Sequence, residues 1–212
     1  MFRCSLFGRM LVTALYAWCI MANGVVHAAP ARGAAAAATP GVVLKVVLKD
    51  PDGRLVDPFL AAENSTAIVF LFASVDCPVS NRYAPEVQRI HAAFAATGVA
   101  FWLVYPNPSD TPDAVRAHLM AYGYPVHALL DPRHDLAKLA KVTITPEAAV
   151  FNRSRALVYH GRIDDKFVSL GVERPSATRR DLFEALTAVV GGGMPAQRSA
   201  PAVGCFIADF VQ

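Results

Sequence analysis

The chain has 212 residues and a formal net charge of +3, with 20 Lys and Arg residues against 17 Asp and Glu residues. This length is sufficient for one domain with a substantial hydrophobic core. The charge is too small for the basic footprint of a nucleic-acid-binding protein, so we expect no nucleic-acid partner.

The first 28 residues have the pattern of a signal peptide. Arg3 and Arg9 form a basic start, an apolar segment covers residues 11–26, and Val26-His27-Ala28 is typical of a cleavage signal. An uncleaved membrane anchor is the alternative, although the apolar segment is short for a membrane span. We therefore predict an exported, periplasmic or secreted protein with no stable membrane span after cleavage.

The predicted domain covers residues 42–190 and follows a flexible linker at residues 29–41. Apolar runs predict strands, and apolar residues at spacings of three and four predict helices. Strands that alternate with helices indicate an α/β fold, with a central mixed β-sheet and helices on both faces. The predicted strands are 42–49, 67–73, 99–105, 126–130, 147–152 and 156–159. The predicted helices are 78–97, 135–141 and 181–190, with a short helical turn in 55–62. A further helix, for which Asp110 and Asp113 are the capping candidates, is predicted to run to Tyr122.

Cys77 lies between the predicted strand 67–73 and the helix that starts at Pro78. Proline is favoured in the first turn of a helix, where backbone N–H groups have no intrahelical partner and can stabilise a thiolate. Arg82 is a candidate counterion for that thiolate. The alternative is an inert buried cysteine, but the position favours a reactive thiol.

Residues 191–212 form a predicted flexible tail that carries Cys205. The tail begins with Gly, Pro and Ala residues, whereas residues 203–207 are apolar enough to need a docking surface. An extended chain from Gly191 to Cys205 spans about 46 Å, which exceeds the width of a domain of this size. The tail can therefore bring Cys205 to Cys77.

The mature chain is predicted to contain only two cysteines, because Cys4 and Cys19 lie in the signal peptide. In an oxidising compartment, Cys77 and Cys205 can form one intramolecular disulfide. Three roles are open for Cys205. It resolves an intermediate formed on Cys77, it forms a structural disulfide with Cys77, or it pairs with another protein.

Three features of the sequence resemble the thioredoxin fold, and within it the redoxins of the alkyl hydroperoxide reductase and thiol-specific antioxidant (AhpC/TSA) family. The segment FASVDCPVSNRYAPE at 72–86 is similar to the active-site turn of that fold, with its nucleophilic cysteine at Cys77. Thr145-Pro146 resembles the cis-proline loop, and FNRSRALVYHGRIDD at 151–165 resembles the final strands before the last helix. The resemblance implies a three-layer sandwich in which Thr145 and Pro146 lie against Cys77.

The sequence departs from both subfamilies that it resembles. Ser80 stands where thioredoxins have a second cysteine, so the active-site turn contains only one thiol. Phe70 and Ser74 replace a proline and a threonine of typical peroxiredoxins, which disfavours an efficient peroxidase.

The leading hypothesis is an exported thiol-dependent oxidoreductase. Cys77 attacks a disulfide or a peroxide, Cys205 resolves the intermediate, and Thr145 and Pro146 complete the catalytic site. We expect no cofactor or metal. The expected partners are a thiol or disulfide protein, or a peroxide, as substrate, and an external thiol as reductant.

Two other functions are considered on the same fold. One is a copper metallochaperone in which Cys205 and His160 join Cys77 as ligands, and the other is a domain that binds partners without catalysis. The five histidines beyond the signal peptide are expected at the surface or its boundary, because none has the spacing of a metal pair. The charged residues Arg162, Asp164 and Asp165 are expected in a solvated turn.

Overall fold

The computed structural model describes residues 45–210. The predicted signal peptide and linker lie outside these residues, as does the start of the predicted strand 42–49. No helix between residues 45 and 210 has the length and hydropathy that a membrane span requires.

The described chain contains twelve strands and six α-helices. The strands are β1 (Leu48–Lys49), β2 (Leu55–Val56), β3 (Ala67–Phe72), β4 (Val99–Tyr105), β5 (His127–Leu130), β6 (Ile144–Thr145), β7 (Glu147–Asn152), β8 (Leu157–Gly161), β9 (Phe167–Ser169), β10 (Val172–Glu173), β11 (Ser199–Ala200) and β12 (Cys205–Phe206). The helices are α1 (Pro58–Ala61), α2 (Pro78–Arg82), α3 (Ala84–Phe94), α4 (Pro112–Tyr122), α5 (Asp135–Ala140) and α6 (Asp181–Val190).

Eight strands form one sheet in the order β11-β8-β7-β3-β4-β5-β1-β2. The sheet is mixed, because β3 pairs in parallel with β4 and antiparallel with β7. Every residue of β3 is buried, as expected for a continuous apolar strand that is covered on both faces. Two further antiparallel pairs, β9 with β10 and β6 with β12, lie outside this sheet.

The two faces of β3 contribute to two separate hydrophobic clusters. Val69 and Leu71 pack with residues of α2, α3, α4 and α6, whereas Phe70 and Phe72 pack with residues of α1 and α5. The alternation follows from the opposite orientation of successive side chains in a strand. The predicted α/β fold, with a mixed sheet and helices on both faces, is confirmed.

The predicted helix 78–97 is wrong as a single element, because it divides into α2 and α3 at Tyr83. Pro85 has no N–H group and cannot donate to the carbonyl of Asn81, so a continuous α-helix would lose a hydrogen bond there. Tyr83 is buried at the division, and its hydroxyl donates to Asp164 Oδ1 at 2.6 Å.

The expectation of a solvated turn around Asp164 and Asp165 is also wrong, because both side chains are buried. Asp165 accepts hydrogen bonds from the backbone of Thr178 at 2.7 Å and of Arg179 at 2.9 Å. Arg162 forms an ion pair with Asp181 at 2.7 Å, at the start of α6. These carboxylates therefore fix the connection between β8 and α6.

The tail, for which we predicted a flexible arm, forms β11 and β12. Strand β11 pairs in parallel with β8, and β12 pairs antiparallel with β6. Each of these two strand pairings brings the tail backbone so close to its partner strand that a glycine is required at the contact. An ideal Cβ on Gly161, where φ is 139°, would lie 2.2 Å from the carbonyl oxygen of Ala200, and one on Gly204 would lie 2.0 Å from that of Thr145.

A Gly204→Ala substitution should displace β12 from β6. The amide of Ile207 donates to the carbonyl of Thr143 at 3.1 Å, so its hydrogen exchange reports on tail docking. We expect at least about tenfold faster exchange in the variant, because the added methyl group overlaps Thr145.

Gly193→Ala is the matched control, since an ideal Cβ on Gly193 lies 3.4 Å from the carbonyl oxygen of Ala188, which is an ordinary contact distance. Equal exchange of Ile207 in the two variants would contradict the close approach at Gly204.

Candidate active site

Cys77 lies in the loop between β3 and α2, directly before Pro78. Its amide donates to the carbonyl of Ser74 at 3.2 Å, and its thiol donates to the carbonyl of Thr145 at 3.1 Å. The residue is only 1% exposed. The prediction that a strand, Cys77 and a helix follow one another is therefore confirmed, and the thiol points toward the loop at Thr145.

The peptide bond between Thr145 and Pro146 is cis, as the resemblance implied. Thr145 is completely buried, and its carbonyl faces the thiol of Cys77. Glu147 holds this loop, because its Oε2 accepts hydrogen bonds from the amides of Thr143 at 3.1 Å and of Ile144 at 3.3 Å.

Cys205 lies opposite Thr145 in the pair of β12 with β6. The Thr145 hydroxyl also donates to the carbonyl of Cys205 at 3.4 Å. Both cysteines are free thiols in this structure. Thr145 therefore contacts both, and Cys77, Cys205, Thr145 and Pro146, the four residues predicted for the site, are brought together.

The surroundings of Cys77 favour its thiolate. Burial raises the pKa of Cys77, but hydrogen bonds from Cys205, from the hydroxyl and amide of Ser80 and from Thr145 outweigh burial and leave the pKa below its ordinary value. Burial, followed by the interaction with Cys77, raises the pKa of Cys205 to about 12. When the pair carries one proton, that proton therefore resides on Cys205.

While Cys77 is a thiol, the buried hydroxyl of Ser80 has no hydrogen-bond partner among residues 45–210. In that state the Cys77 thiol donates to the carbonyl of Thr145, and the Ser80 hydroxyl forms no hydrogen bond with Cys77. Ionisation of Cys77 would provide the missing acceptor, because a thiolate accepts hydrogen bonds and does not donate them. Ser80 is thus suited to stabilise the thiolate, although it cannot replace a second cysteine.

A buried hydrogen-bond network supports the start of α2. The Asn81 side chain donates to the carbonyl of Val75 at 3.2 Å, and its Oδ1 lies 2.7 Å from Nε2 of His118. His118 Nδ1 lies 2.8 Å from the Tyr105 hydroxyl. Because Asn81 Oδ1 can only accept, the proton of His118 is on Nε2 and Tyr105 donates to Nδ1. Burial lowers the pKa of His118, in agreement with a neutral ring.

The expected surface position is therefore wrong for His118, and also for His134, which is buried as well. His118 follows the buried Val115 by three residues on α4, so helical spacing already placed it on the core face. That spacing is the signal by which sequence reasoning could have found it.

Asp110 fixes the loop that precedes Cys77. Its Oδ1 accepts hydrogen bonds from the amide of Val75 at 3.1 Å and from the hydroxyl of Ser74 at 3.3 Å. The predicted capping of α4 by Asp110 is wrong, because the N-cap is Thr111, whose hydroxyl accepts from Ala114. Burial raises the pKa of Asp110.

Two residues suggested by the sequence lie in other surroundings. Arg82, the candidate counterion of Cys77, forms an exposed ion pair with Glu173 at 3.0 Å. His160 Nδ1 lies 3.9 Å from Glu147 Oε1. Within residues 45–210 no three His, Cys, Asp or Glu side chains are grouped as metal ligands, so Cys77, Cys205 and His160 do not form a preassembled copper site.

The sequence model of the AhpC/TSA family matches residues 43–162, which is more than half of the chain. The chain belongs to the AhpC/TSA family. A search of curated proteins gave no significant match. The family assignment agrees with the position of Cys77 between β3 and α2 and with the cis-proline loop beside it.

Solved structures show the same fold. A hypothetical protein from Sinorhizobium meliloti 1021 is 28% identical with a TM-score of 0.68, covering 83% of this chain and 97% of its own. An uncharacterized conserved protein from Geobacillus kaustophilus is 25% identical with a TM-score of 0.69, covering 80% and 90%. The thioredoxin domain of a thiol-disulfide oxidoreductase from Bacteroides vulgatus is 13% identical with a TM-score of 0.50, covering 73% and 99%. The AhpC/TSA chain therefore has a thioredoxin-like fold.

A Ser80→Ala substitution should make Cys77 less reactive at neutral pH. Removing a donor raises the pKa of Cys77, so the midpoint of its alkylation by iodoacetamide shifts to higher pH. We expect about a tenfold lower rate at pH 7, as for the loss of a hydrogen bond to a charged group. The rate is measured by mass spectrometry of the peptide that contains Cys77.

Ser109→Ala is the control, because it removes the same group from an exposed serine between β4 and α4. An equal shift of the midpoint in both variants would show that Ser80 has no specific effect on the thiolate.

Proposed function

We propose that this AhpC/TSA protein is an exported thiol-dependent oxidoreductase in which Cys77 is the nucleophile and Cys205 the resolving thiol. One observation carries the proposal. Cys205 is held opposite Thr145, whose carbonyl accepts the hydrogen bond of Cys77. The pattern of a signal peptide at residues 1–28 supports export.

With a disulfide substrate, the Cys77 thiolate attacks one sulfur and the other sulfur leaves as a thiolate, which gives a mixed disulfide. The Cys205 thiolate then attacks the Cys77 sulfur and releases the second substrate thiol. The substrate gains two electrons, and Cys77 and Cys205 become a disulfide. An external dithiol returns two electrons and is itself oxidised to a disulfide.

With a peroxide substrate, Cys77 attacks one oxygen, and the other oxygen leaves as water or an alcohol after it takes up a proton. The sulfenic acid on Cys77 condenses with Cys205, and water leaves. Phe70 and Ser74, which replace the proline and threonine of typical peroxiredoxins, make disulfide exchange the favoured reaction of the two.

In this cycle, the pKa of Cys205 is expected to fall once Cys77 has reacted. The negative charge of Cys77 contributes to the high pKa of Cys205. A mixed disulfide on Cys77 carries no charge, so that contribution is lost and the Cys205 thiolate becomes easier to form. Cys205 is therefore a weak nucleophile until Cys77 has reacted.

Substrate access requires that the tail separates from β6, because Cys77 is 1% exposed while the tail is docked. Several contacts dock the tail. β12 pairs with β6, Val203 and Phe210 pack against the core, and Ile207 is 5% exposed. The amide of Ile207 donates to Thr143, and the amide of Ala208 donates to Asn107 Oδ1 at 2.8 Å. We propose that the tail breaks these contacts to admit the substrate and forms them again for resolution.

The proposal predicts a Cys77-Cys205 disulfide when the mature protein receives one equivalent of a disulfide oxidant or a peroxide. Peptide mapping by mass spectrometry identifies the bond. In Cys205→Ser, the mixed disulfide or sulfenic acid should persist on Cys77, and turnover with an external dithiol should fall at least about tenfold, since no intramolecular thiol resolves the intermediate.

Unchanged turnover in Cys205→Ser would refute the resolving role. If Cys77 reacts with neither oxidant, the domain binds partners without catalysis. Stoichiometric copper bound by the wild type and lost in Cys77→Ser would favour the metallochaperone.

Ile207→Asp should open the site, because it places a charge in the apolar contact that anchors the tail. We expect at least about tenfold faster alkylation of Cys77, measured by mass spectrometry. The matched control is Phe206→Asp, which introduces the same charge at a neighbouring side chain that is 81% exposed. Equal rates in the two variants would show that the docked tail does not limit access.

A further inference from the structure

The hairpin formed by β9 and β10 exposes apolar side chains to solvent. Val168, Leu170 and Val172 are 50%, 67% and 52% exposed, respectively. The hairpin lies outside the eight-stranded sheet, on the connection between β8 and α6. A patch of neighbouring exposed apolar residues is typical of a surface that binds a partner or a membrane. The β9-β10 hairpin is therefore a candidate docking surface.

The segment that contains this hairpin is strongly basic. Residues 166–180 include four basic residues, Lys166, Arg174, Arg179 and Arg180, and a single acidic residue, Glu173. Beyond the predicted signal peptide, 18 basic residues stand against 17 acidic residues in the whole chain. The positive charge is therefore concentrated in this segment, and the rest of the chain is net negative. A local excess of positive charge attracts an anionic surface.

We propose that the β9-β10 hairpin docks the protein on an anionic lipid surface, with Val168, Leu170 and Val172 in the interfacial layer of the bilayer and the basic residues of 166–180 against the lipid headgroups. The contact is peripheral, so it requires no membrane-spanning helix. It goes beyond the proposed thiol chemistry, because neither cysteine takes part in it.

The order of residues along the hairpin matches the layers of a bilayer surface. Leu170 and Gly171 form the turn, with a φ of 78° at Gly171. Lys166 and Arg174 lie at the base, where the amide of Arg174 donates to the carbonyl of Lys166 at 2.8 Å. Surface-bound segments place apolar side chains at the acyl boundary and Lys and Arg at the headgroups. The hairpin has this order from its turn to its base.

The hairpin is also held in a fixed orientation, which lowers the entropic cost of docking. Phe167 is buried against Tyr83, with ring centroids 5.2 Å apart. Glu173 forms an ion pair with Arg82 on α2 at 3.0 Å. This ion pair compensates the single acidic residue of the segment, so the surface around the hairpin stays basic.

The composition of the tip favours a lipid surface over a protein partner. The centres of protein interfaces are enriched in aromatic residues, Met and Arg. The three exposed residues at the tip are aliphatic, and the aromatic residue of the hairpin, Phe167, is buried. Val172 pairs with Ser169 across the hairpin, so backbone groups near the turn have partners within the hairpin, as an apolar environment requires.

Docking through this hairpin would bring the candidate active site close to the lipid surface. The hairpin contacts α2 at Arg82, and Cys77 lies directly before the first residue of that helix. The two residues are separated by about 8 Å along the helix axis. A docked protein would therefore act on substrates that are attached to the membrane or lie near it.

The test uses the mature protein, residues 29–212, and vesicle sedimentation. One set of vesicles contains phosphatidylcholine alone, and the other contains about one-third phosphatidylglycerol, both at about 0.15 M salt. We expect a partition coefficient at least about tenfold higher for the anionic vesicles, and we expect this difference to be lost at about 1 M salt, which screens the charges. Equal partition to the two sets at about 0.15 M salt would overturn the inference.

Leu170→Asp tests whether the apolar tip carries the contact. Partition to the anionic vesicles should fall at least about tenfold, because the variant removes an apolar side chain and adds a charge that the headgroups repel. Leu60→Asp is the matched control, since Leu60 is 66% exposed and lies on α1, which packs on the other face of the sheet. Equal partition of the two variants would overturn the inference.

The basic residues are tested by a double variant that carries Lys166→Gln and Arg180→Gln. Partition to the anionic vesicles should fall about tenfold, with no change for phosphatidylcholine alone. The control carries Lys138→Gln and Lys141→Gln, which remove the same charge from exposed residues at α5. An equal loss in both double variants would show that the charge of the hairpin segment has no specific role and would overturn the inference.

A protein partner at the hairpin gives a different result. If Leu170→Asp lowers turnover with a protein disulfide and leaves partition to the anionic vesicles unchanged, the hairpin docks a protein and the lipid surface is the wrong occupant. Partition to vesicles does not depend on Cys77, so this inference and the proposed function can fail separately.

Discussion

Thr145 is the residue on which the rest of the site depends, because its backbone meets both cysteines. Its carbonyl accepts the hydrogen bond of Cys77, and its strand pairs with Cys205. Glu147 fixes the loop, because its side chain accepts hydrogen bonds from the amides of the two residues before Thr145. Since Gly204 leaves room for the Thr145 carbonyl, the tail can approach closely enough to place Cys205 beside Cys77.

Burial of Cys77 opposes the ionisation that the proposed chemistry requires, so that chemistry needs hydrogen-bond donors held in fixed positions. The loop and the first turn of α2 are fixed by two buried networks. Asp110 holds Ser74 and Val75, and Asn81 connects Val75 to His118. These contacts hold Ser80 in a fixed position near Cys77. The Ser80 hydroxyl therefore needs little reorganisation to donate to the Cys77 thiolate when that thiolate forms.

The sequence was sufficient where local patterns determine structure. The continuous apolar run of β3, the cysteine and the proline that begins α2 predicted this part of the site, and β4 has the predicted bounds. Pro85 was also visible in the sequence, so the division of the helix at Tyr83 could have been predicted.

The sequence was insufficient where contacts join distant segments. The hydrogen bond between His118 and Asn81 joins residues that are 37 positions apart in the sequence, and the one between Tyr83 and Asp164 joins residues that are 81 positions apart. Helical spacing placed His118 on the core face, but it does not identify Asn81 as the partner. Asp164 lies outside a helix or strand, so no periodic pattern indicates its burial. The pairing of β12 with β6 spans 60 residues, and no periodicity in a two-residue strand indicates it.

The proposed cycle requires that the tail undocks reversibly. Docking combines the pairing of β12 with β6, the burial of Ile207 and further apolar contacts of Val203 and Phe210, and it is opposed by the conformational entropy lost when the tail is ordered. In that cycle a substrate reaches Cys77 only after these contacts are broken. A disulfide to Cys77 then holds the tail closed by a covalent bond. In the proposed cycle, reduction of this disulfide releases the tail, so that the redox state of the pair is the switch between the closed and the open site.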